Sequence, residues 1–225
     1  MLGSAGAAVR LEDGEVHVWL FDLDRHPERF ERPARALEPG EWEQGRRFCF
    51  DRDRRRFVAR RAARRALLAR YTGLDPAGLR FALGPRGKPE LVSGEISFSS
   101  SHACGLGLLA VARSRRVGAD LERVREVRHD DAIAGTLFAA EEAAALATLP
   151  TVARLEAFFD RWTRKEAYLK ATGDGLDEAG LGRTVGGGEP DETGRCSLQT
   201  LRPAAGWVAA VAAEGRGWRL SCRWW

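Results

Sequence analysis

Lysine is nearly missing from this sequence. Of its 36 basic residues only three are Lys (Lys88, Lys165 and Lys170), and the other 33 are Arg. A GC-rich genome writes Arg wherever either cation will serve. Each surviving Lys then marks a place for a compact ammonium rather than a planar guanidinium fork. Cysteine is sparse too. The four Cys show no C-x-x-C pair and no zinc spacing, which fits free thiols in a reducing compartment. The first residues lack a basic segment followed by an apolar stretch of about 7–15 residues, the mark of a secretion signal. No apolar run approaches the roughly 20 residues of a membrane helix. G-x-S-x-G is also absent, so Ser101 is not on a nucleophile elbow and a hydrolase triad has little support. Together these absences read as a cytoplasmic protein.

What is present suits a globular chain. At 225 residues, with 44% hydrophobic and 30% charged, there is enough apolar material for one large core or two of roughly 110 residues each. The net charge of +4 is unevenly spread. Residues 46–71 hold 11 Arg against Asp51 and Asp53. Within that stretch Val58, Ala62 and Ala66, and likewise Ala59, Ala63 and Leu67, recur at helical spacing, as do Arg56, Arg60 and Arg64. Thr72-Gly73 stops the helix. A second strong helix covers 154–172 and ends at Thr172-Gly173.

Between these helices, 83–91 reads as a turn-rich loop, and 96–101 and 105–112 as strands. After a basic turn, 117–122 reads as the return strand of a hairpin. Residues 16–23 form an early strand, 28–45 short helical turns, and 130–149 a helix closed by Pro150. The stretch 180–194 is a Gly-rich loop, and 209–213 and 218–225 are closing strands. Shifting the chain by 100 places Arg64, Arg65, Arg70, Thr72 and Gly73 on Arg164, Lys165, Lys170, Thr172 and Gly173. That echo is consistent with duplication, giving two α+β halves with a site where they meet.

Several clusters can carry chemistry. On a strand over 117–122, Val117, Ala119 and Leu121 face the core while Asp120 and Glu122 share the other face. Two adjacent carboxylates repel unless a cation or proton lies between them, so Mg²⁺ or Mn²⁺ is one reading. A solvated strand face beside Arg123 and Arg125 is the other. Trp162, Glu166 and Lys170 form an i, i+4, i+8 row. It is either an ordinary surface ion pair or the end of a metal and phosphate site. Ser101-His102 follows a strand. Gly87-Lys88-Pro89 sits in a stiff loop that presents one ammonium. The Arg-rich helix suits a nucleic acid, a polyphosphate ligand or an acidic protein.

The order and spacing of these clusters are far more specific than any one of them. G-K-P (87–89), F-S-S-S-H (98–102), V-G-A-D-L-E (117–122) and F-F-D-R-W-T-R-K-E-A-Y-L-K-A-T-G (158–173) closely resemble the 4′-phosphopantetheinyl transferases of the Sfp type, as does R-R-F-C-F-D-R-D-R-R-R-F (46–57). The resemblance spans 46–176. It implies an α+β fold, a pseudo-dimer of two similar halves (1–112 and 113–225) with the active site at their junction. It also implies transfer of the phosphopantetheine arm of coenzyme A to a serine of an acyl or peptidyl carrier protein, releasing adenosine 3′,5′-bisphosphate, in polyketide or nonribosomal peptide synthesis.

By motif, Asp120, Glu122 and Glu166 would hold Mg²⁺, with Mn²⁺ as a substitute. Asp120, Glu166 and Lys170 would be catalytic, with Glu166 or a metal-bound water as the base for the carrier serine and Lys170 stabilising the pyrophosphate and the leaving group. Arg47, Arg52, Arg56, Lys88, Ser101, His102, Lys165 and Lys170 would contact coenzyme A. Glu142, after Phe138, matches a helix carboxylate that some members place near the site. This sequence departs from the family at Ser99, where Asn is usual, and at Ala103, where Ser is usual. The resemblance implies a monomer that binds neither nucleic acid nor membrane. The competing readings are an inactive relative that binds coenzyme A or a carrier, and an Arg-rich nucleic-acid module.

Overall fold

A computed structural model describes residues 7–84, 86–92, 94–126, 135–174 and 195–225. The β-branched and aromatic run at the start forms β1 (Glu15–Asp22), buried on both faces. Three helices follow: α1 (Glu28–Ala34), α2 (Pro39–Arg46) and α3 (Asp51–Thr72). The hairpin β2 (Phe81–Leu83) and β3 (Pro89–Leu91) leads to β4 (Ile96–Ala103), β5 (Leu106–Arg113) and β6 (Val117–Arg123). Next come α4 (Ala140–Ala147), α5 (Thr151–Thr172), β7 (Cys196–Leu201), β8 (Trp207–Glu214) and β9 (Arg219–Trp224).

One sheet has the order β4-β5-β1-β9 and the other β6-β8-β7. All pairs are antiparallel except β1 with β9, which run parallel. The sheets face each other through Val16, Val18 and Leu20 on one side and Val117, Ala119 and Leu121 on the other. Helix α3 covers the outer face of the first sheet, packing Ala59, Ala63 and Leu67 near Trp19 and Phe21. Helix α5 covers the second with Ala167 and Ala171 near Ala210 and Ala212.

The fold is thus α+β, and its two sheets repeat one plan. A strand (β1, β6), a 22-residue helix (α3, α5) and two strands (β4 and β5, β7 and β8) give the orders β4-β5-β1 and β7-β8-β6. Both helices end with Thr, then a left-handed Gly at φ 70° and 80°. A cut at 112/113 does not part the sheets cleanly. β5 runs to Arg113, and β9 joins the first sheet.

Three expectations need correction. Residues 117–122 do not return along β5; β6 leaves that sheet and pairs with β8. The basic turn redirects the chain, with Ser114 at φ 52°. The loop at 83–91 holds a short hairpin, β2 with β3. Strand β7, whose Cys196 and Leu198 are buried at period two, was absent from the sequence reading. Helix α4 covers only the later part of 130–149; its start and the 180–194 loop lie outside the described residues.

Candidate active site

Gly118 sets the geometry. A Cβ at this position would collide with the carbonyl oxygen of Ala167 and the nitrogen of Ala171, so only Gly lets α5 lie directly on β6. The close approach brings Asp120, two residues along the strand, under Lys170 of α5. Strand β4 runs alongside β6 and supplies the third wall. There Ser99 Oγ accepts from Ala119 N at 3.0 Å, and Ser101 Oγ donates to Asp120 Oδ1 at 2.8 Å. The Ser found where the family usually has Asn therefore stitches the two sheets together.

Asp120 is the hub, with only 5% of its surface exposed. Its Oδ1 accepts from Lys170 Nζ at 2.7 Å as well as from Ser101, and its Oδ2 is buried without a hydrogen-bond partner. Lys170 also lies 3.5 Å from Glu166. Burial pulls the Lys170 ammonium down, but Asp120 and Glu166 outweigh it and hold the group above its ordinary pKa. Burial pushes Glu166 up, and Asp120 and Glu122 add to the rise against the pull of Lys170. Burial and Asp120 likewise raise Glu122, although Arg125 donates to it at 3.1 Å. The strand face carrying these acids is therefore covered rather than solvated.

Cations gather above this hub. His102 Nδ1 and Arg60 lie 3.1 Å apart. Partial burial, with Arg60, Lys170 and Arg56 nearby, pushes the His102 ring down to about 4, so it is neutral at pH 7. Arg56 is held by Asp24 through Nε at 2.8 Å and a second nitrogen at 2.5 Å. Burial lowers Arg60 to about 10. Arg60 and Asp24 were missed as site residues; the i, i+4 row through Arg56 was the available signal for Arg60. A cleft of about 310 Å³ opens beside Glu166 and Lys170, lined also by Lys88, Ser100 and Asp174 among others.

Some expected contacts lie elsewhere. Lys165 is 1% exposed and turns away from the cleft. Its Nζ donates to Leu137 O at 3.0 Å and Glu142 Oε2 at 3.2 Å, so the helix turn that aims Glu166 at Asp120 aims its neighbour at α4. Glu142 is correspondingly engaged with Lys165 and with Ala139 N. Lys88 is at the cleft, but its Nζ donates to Val117 O and Lys170 O, each at 2.7 Å, tying the hairpin loop to β6 and α5. Burial lowers its pKa to about 8. Arg47 and Arg52 are exposed, on the loop before α3 and on its first turn, and Arg52 lies 3.4 Å from Asp53.

Among the described residues no group of three or more His, Cys, Asp or Glu is gathered as a metal cluster. The donor set nevertheless suits a hard divalent cation. Asp120 Oδ2 is an orphaned buried acceptor, and Glu122 and Glu166 are carboxylates strained by mutual repulsion and burial.

The sequence has known relatives. Residues 116–222 match the 4′-phosphopantetheinyl transferase superfamily. The chain is 37% identical to the 4′-phosphopantetheinyl transferase HetI of Nostoc sp., over 91% of this chain and 90% of that one. It is 35% identical to the L-aminoadipate-semialdehyde dehydrogenase-phosphopantetheinyl transferase of Eremothecium gossypii, over 74% and 59%. It is 26% identical to the 4′-phosphopantetheinyl transferase Sfp of Bacillus subtilis, over 86% and 89%. The chain is an enzyme and belongs to the 4′-phosphopantetheinyl transferase family.

Proposed function

We propose that the chain moves the 4′-phosphopantetheine arm of coenzyme A onto a serine hydroxyl of an apo acyl or peptidyl carrier protein and releases adenosine 3′,5′-bisphosphate. The observation that carries this reading is the Asp120 hub: one carboxylate oxygen bonded to Ser101 and Lys170, the other orphaned, with two raised carboxylates beside it. Asp120, Glu122 and Glu166 would hold Mg²⁺ or Mn²⁺, which supplies charge neutralisation across the pyrophosphate oxygens.

The chain's own residues cover the remaining needs. Glu166, with its raised pKa, is suited to take the proton from the carrier serine as the oxygen attacks the β-phosphorus of coenzyme A. Lys170, kept charged by Asp120 and Glu166, stabilises the negative charge that builds on the departing phosphate. Neutral His102 with Arg60 and Arg56 offers donors and positive field to the nucleotide phosphates, and Ser101 holds Asp120 in place. Lys88 supports the site through the backbone of Val117 and Lys170.

The Arg-rich stretch favours this reading over a nucleic-acid module. Arg52, Arg54, Arg56, Arg61, Arg64 and Arg65 all have acidic partners, and Arg64 and Arg65 are buried. No helix among the described residues is long and apolar enough to cross a membrane. Repetition of the fold plan within one chain favours a monomer, with halves near 1–112 and 113–225 meeting at the site. Sedimentation as a stable dimer would refute the monomer.

The test is the intact mass of an apo carrier protein after incubation with coenzyme A and Mg²⁺. We expect a gain of about 340 Da, one phosphopantetheine arm, abolished by EDTA and by Asp120→Ala or Glu166→Ala in folded protein. Coenzyme A binding with no mass gain across several carriers would instead mark an inactive relative.

A further inference from the structure

A second cavity, larger than the catalytic cleft, plays no part in the chemistry above. It holds about 910 Å³ between α1, α2 and α3, within the size range of small-molecule sites. Its floor and walls are apolar: Phe30, Ala34 and Ala59 are buried, and Trp42 stands 39% exposed. Its rim is basic. Arg35, Arg52, Arg54 and Arg55 line it against Asp24 and Glu31, and Asp24 is already taken by Arg56. Arg54 and Arg52 lie near Asp51 and Asp53. Arg35 and Arg55 are exposed and make no side-chain hydrogen bond or ion pair among the described residues.

An apolar pocket under guanidinium groups that no carboxylate pairs directly matches a ligand with an apolar body and an anionic head. Scale decides between a small molecule and a protein segment. Helices α1 and α2 have 7 and 8 residues, hence roughly 10 and 12 Å of wall at 1.5 Å per residue. That wall is shorter than the several turns a groove-bound helix lays down. We propose that this cavity binds a small amphipathic anion, an aliphatic or aromatic body carrying one carboxylate or phosphate. Arg35 and Arg55 take the head group, and Phe30, Trp42 and Val58 hold the body. The site lies on the face of α3 next to the one carrying Arg56 and Arg60, and Asp24, which holds Arg56, forms the wall between the two.

Calorimetric titration of the full chain with decanoate, decyl phosphate, decanol and decyltrimethylammonium tests this. At least one of the two anions should bind, and which of them binds tells a carboxylate from a phosphate site. Decanol and the cation should bind at least about tenfold more weakly, the loss expected when a charge-assisted contact is missing. The double variant Arg35→Ser/Arg55→Ser, which removes only exposed side chains, should weaken the anion by at least about tenfold. Val58→Trp should block it by filling the cavity, with coenzyme A affinity unchanged in both variants. Equal binding of decanol, indifference to the Arg variants, or displacement of the anion by coenzyme A would overturn the proposal. So would binding of an acidic amphipathic peptide where neither small anion binds.

Discussion

The two long helices use one scaffold for different ends. In the first half, Glu41 of α2 closes a capping box at Glu38 N and receives the buried Arg65 at 2.7 Å. In the second, Glu142 of α4 accepts from the N-cap nitrogen of Ala139 and receives the buried Lys165 at 3.2 Å. A short helix is thus pinned to a long one by the same kind of pair at positions 65 and 165. The halves part where helix meets strand. The face of β1 toward α3 carries Trp19 and Phe21, which fill the gap with aromatic core. The face of β6 toward α5 carries Gly118, Asp120 and Glu122, which draw the helix close and leave carboxylates beneath it. On the helices, Ala66 and Arg70 stand where the second half has Glu166 and Lys170. Buried pairs of one kind thus brace both halves, while the interface between helix and strand is aromatic core in one and lined with carboxylates in the other.

Breaking the shared pair should have the largest effect. Lys165→Met strands the Glu142 carboxylate in the interior and should cost about 3–5 kcal/mol in denaturant unfolding. Adding Glu142→Leu should recover most of it. If Lys165 is scaffold, the double variant keeps its coenzyme A affinity; a large loss of affinity would return Lys165 to the ligand site. Gly118→Ala comes next. A methyl against the α5 backbone should cost about 1–3 kcal/mol and lower activity further than stability, because Asp120 and Lys170 move apart. No such cost would mean that α5 tolerates a wider gap.

His102 gives a smaller, sharper signal. Its folded pKa of about 4 lies below its ordinary 6.5, so the unfolded chain binds the proton first. The wild type should therefore lose more Tm between pH 7 and pH 4.5 than His102→Gln does. Binding of adenosine 3′,5′-bisphosphate should raise the His102 pKa seen by NMR, since an anion favours the imidazolium. An unmoved pKa would place the phosphates elsewhere. Smallest of all, Arg47→Ala should change stability by no more than about 0.5 kcal/mol, and any sizeable loss of coenzyme A affinity would promote this exposed residue to the site.

The Thr-Gly echo was legible because a helix stop needs the same residues wherever it occurs, and it placed the ends of both long helices. Asp120, Glu166 and Lys170 were legible because strand period and helix row each point them one way. Lys165 misled because adjacency in sequence means roughly 100° around a helix, which separates it from Glu166. Lys88 was placed at the cleft by its motif, but a motif does not say what an ammonium bonds; here two carbonyls also hold it. The departure of β6 from β5 was invisible because a short basic turn looks the same whether the next strand folds back or crosses to another sheet. Asp24 gave no local sign, being 32 residues from Arg56.

Strand β9 has a consequence for how the molecule comes to be made. It lies beside β1, and Arg219 reaches Glu15 across a sequence separation of 204 residues. During synthesis the first sheet therefore waits with an open edge until residues 219–224 have emerged. An unpaired strand edge invites pairing with other chains, and such distant closure slows folding. Expression should accordingly suffer more from trimming residues 219–224 than from comparable changes within the exposed α2–α3 loop, and a holding chaperone should help the full chain most during that interval.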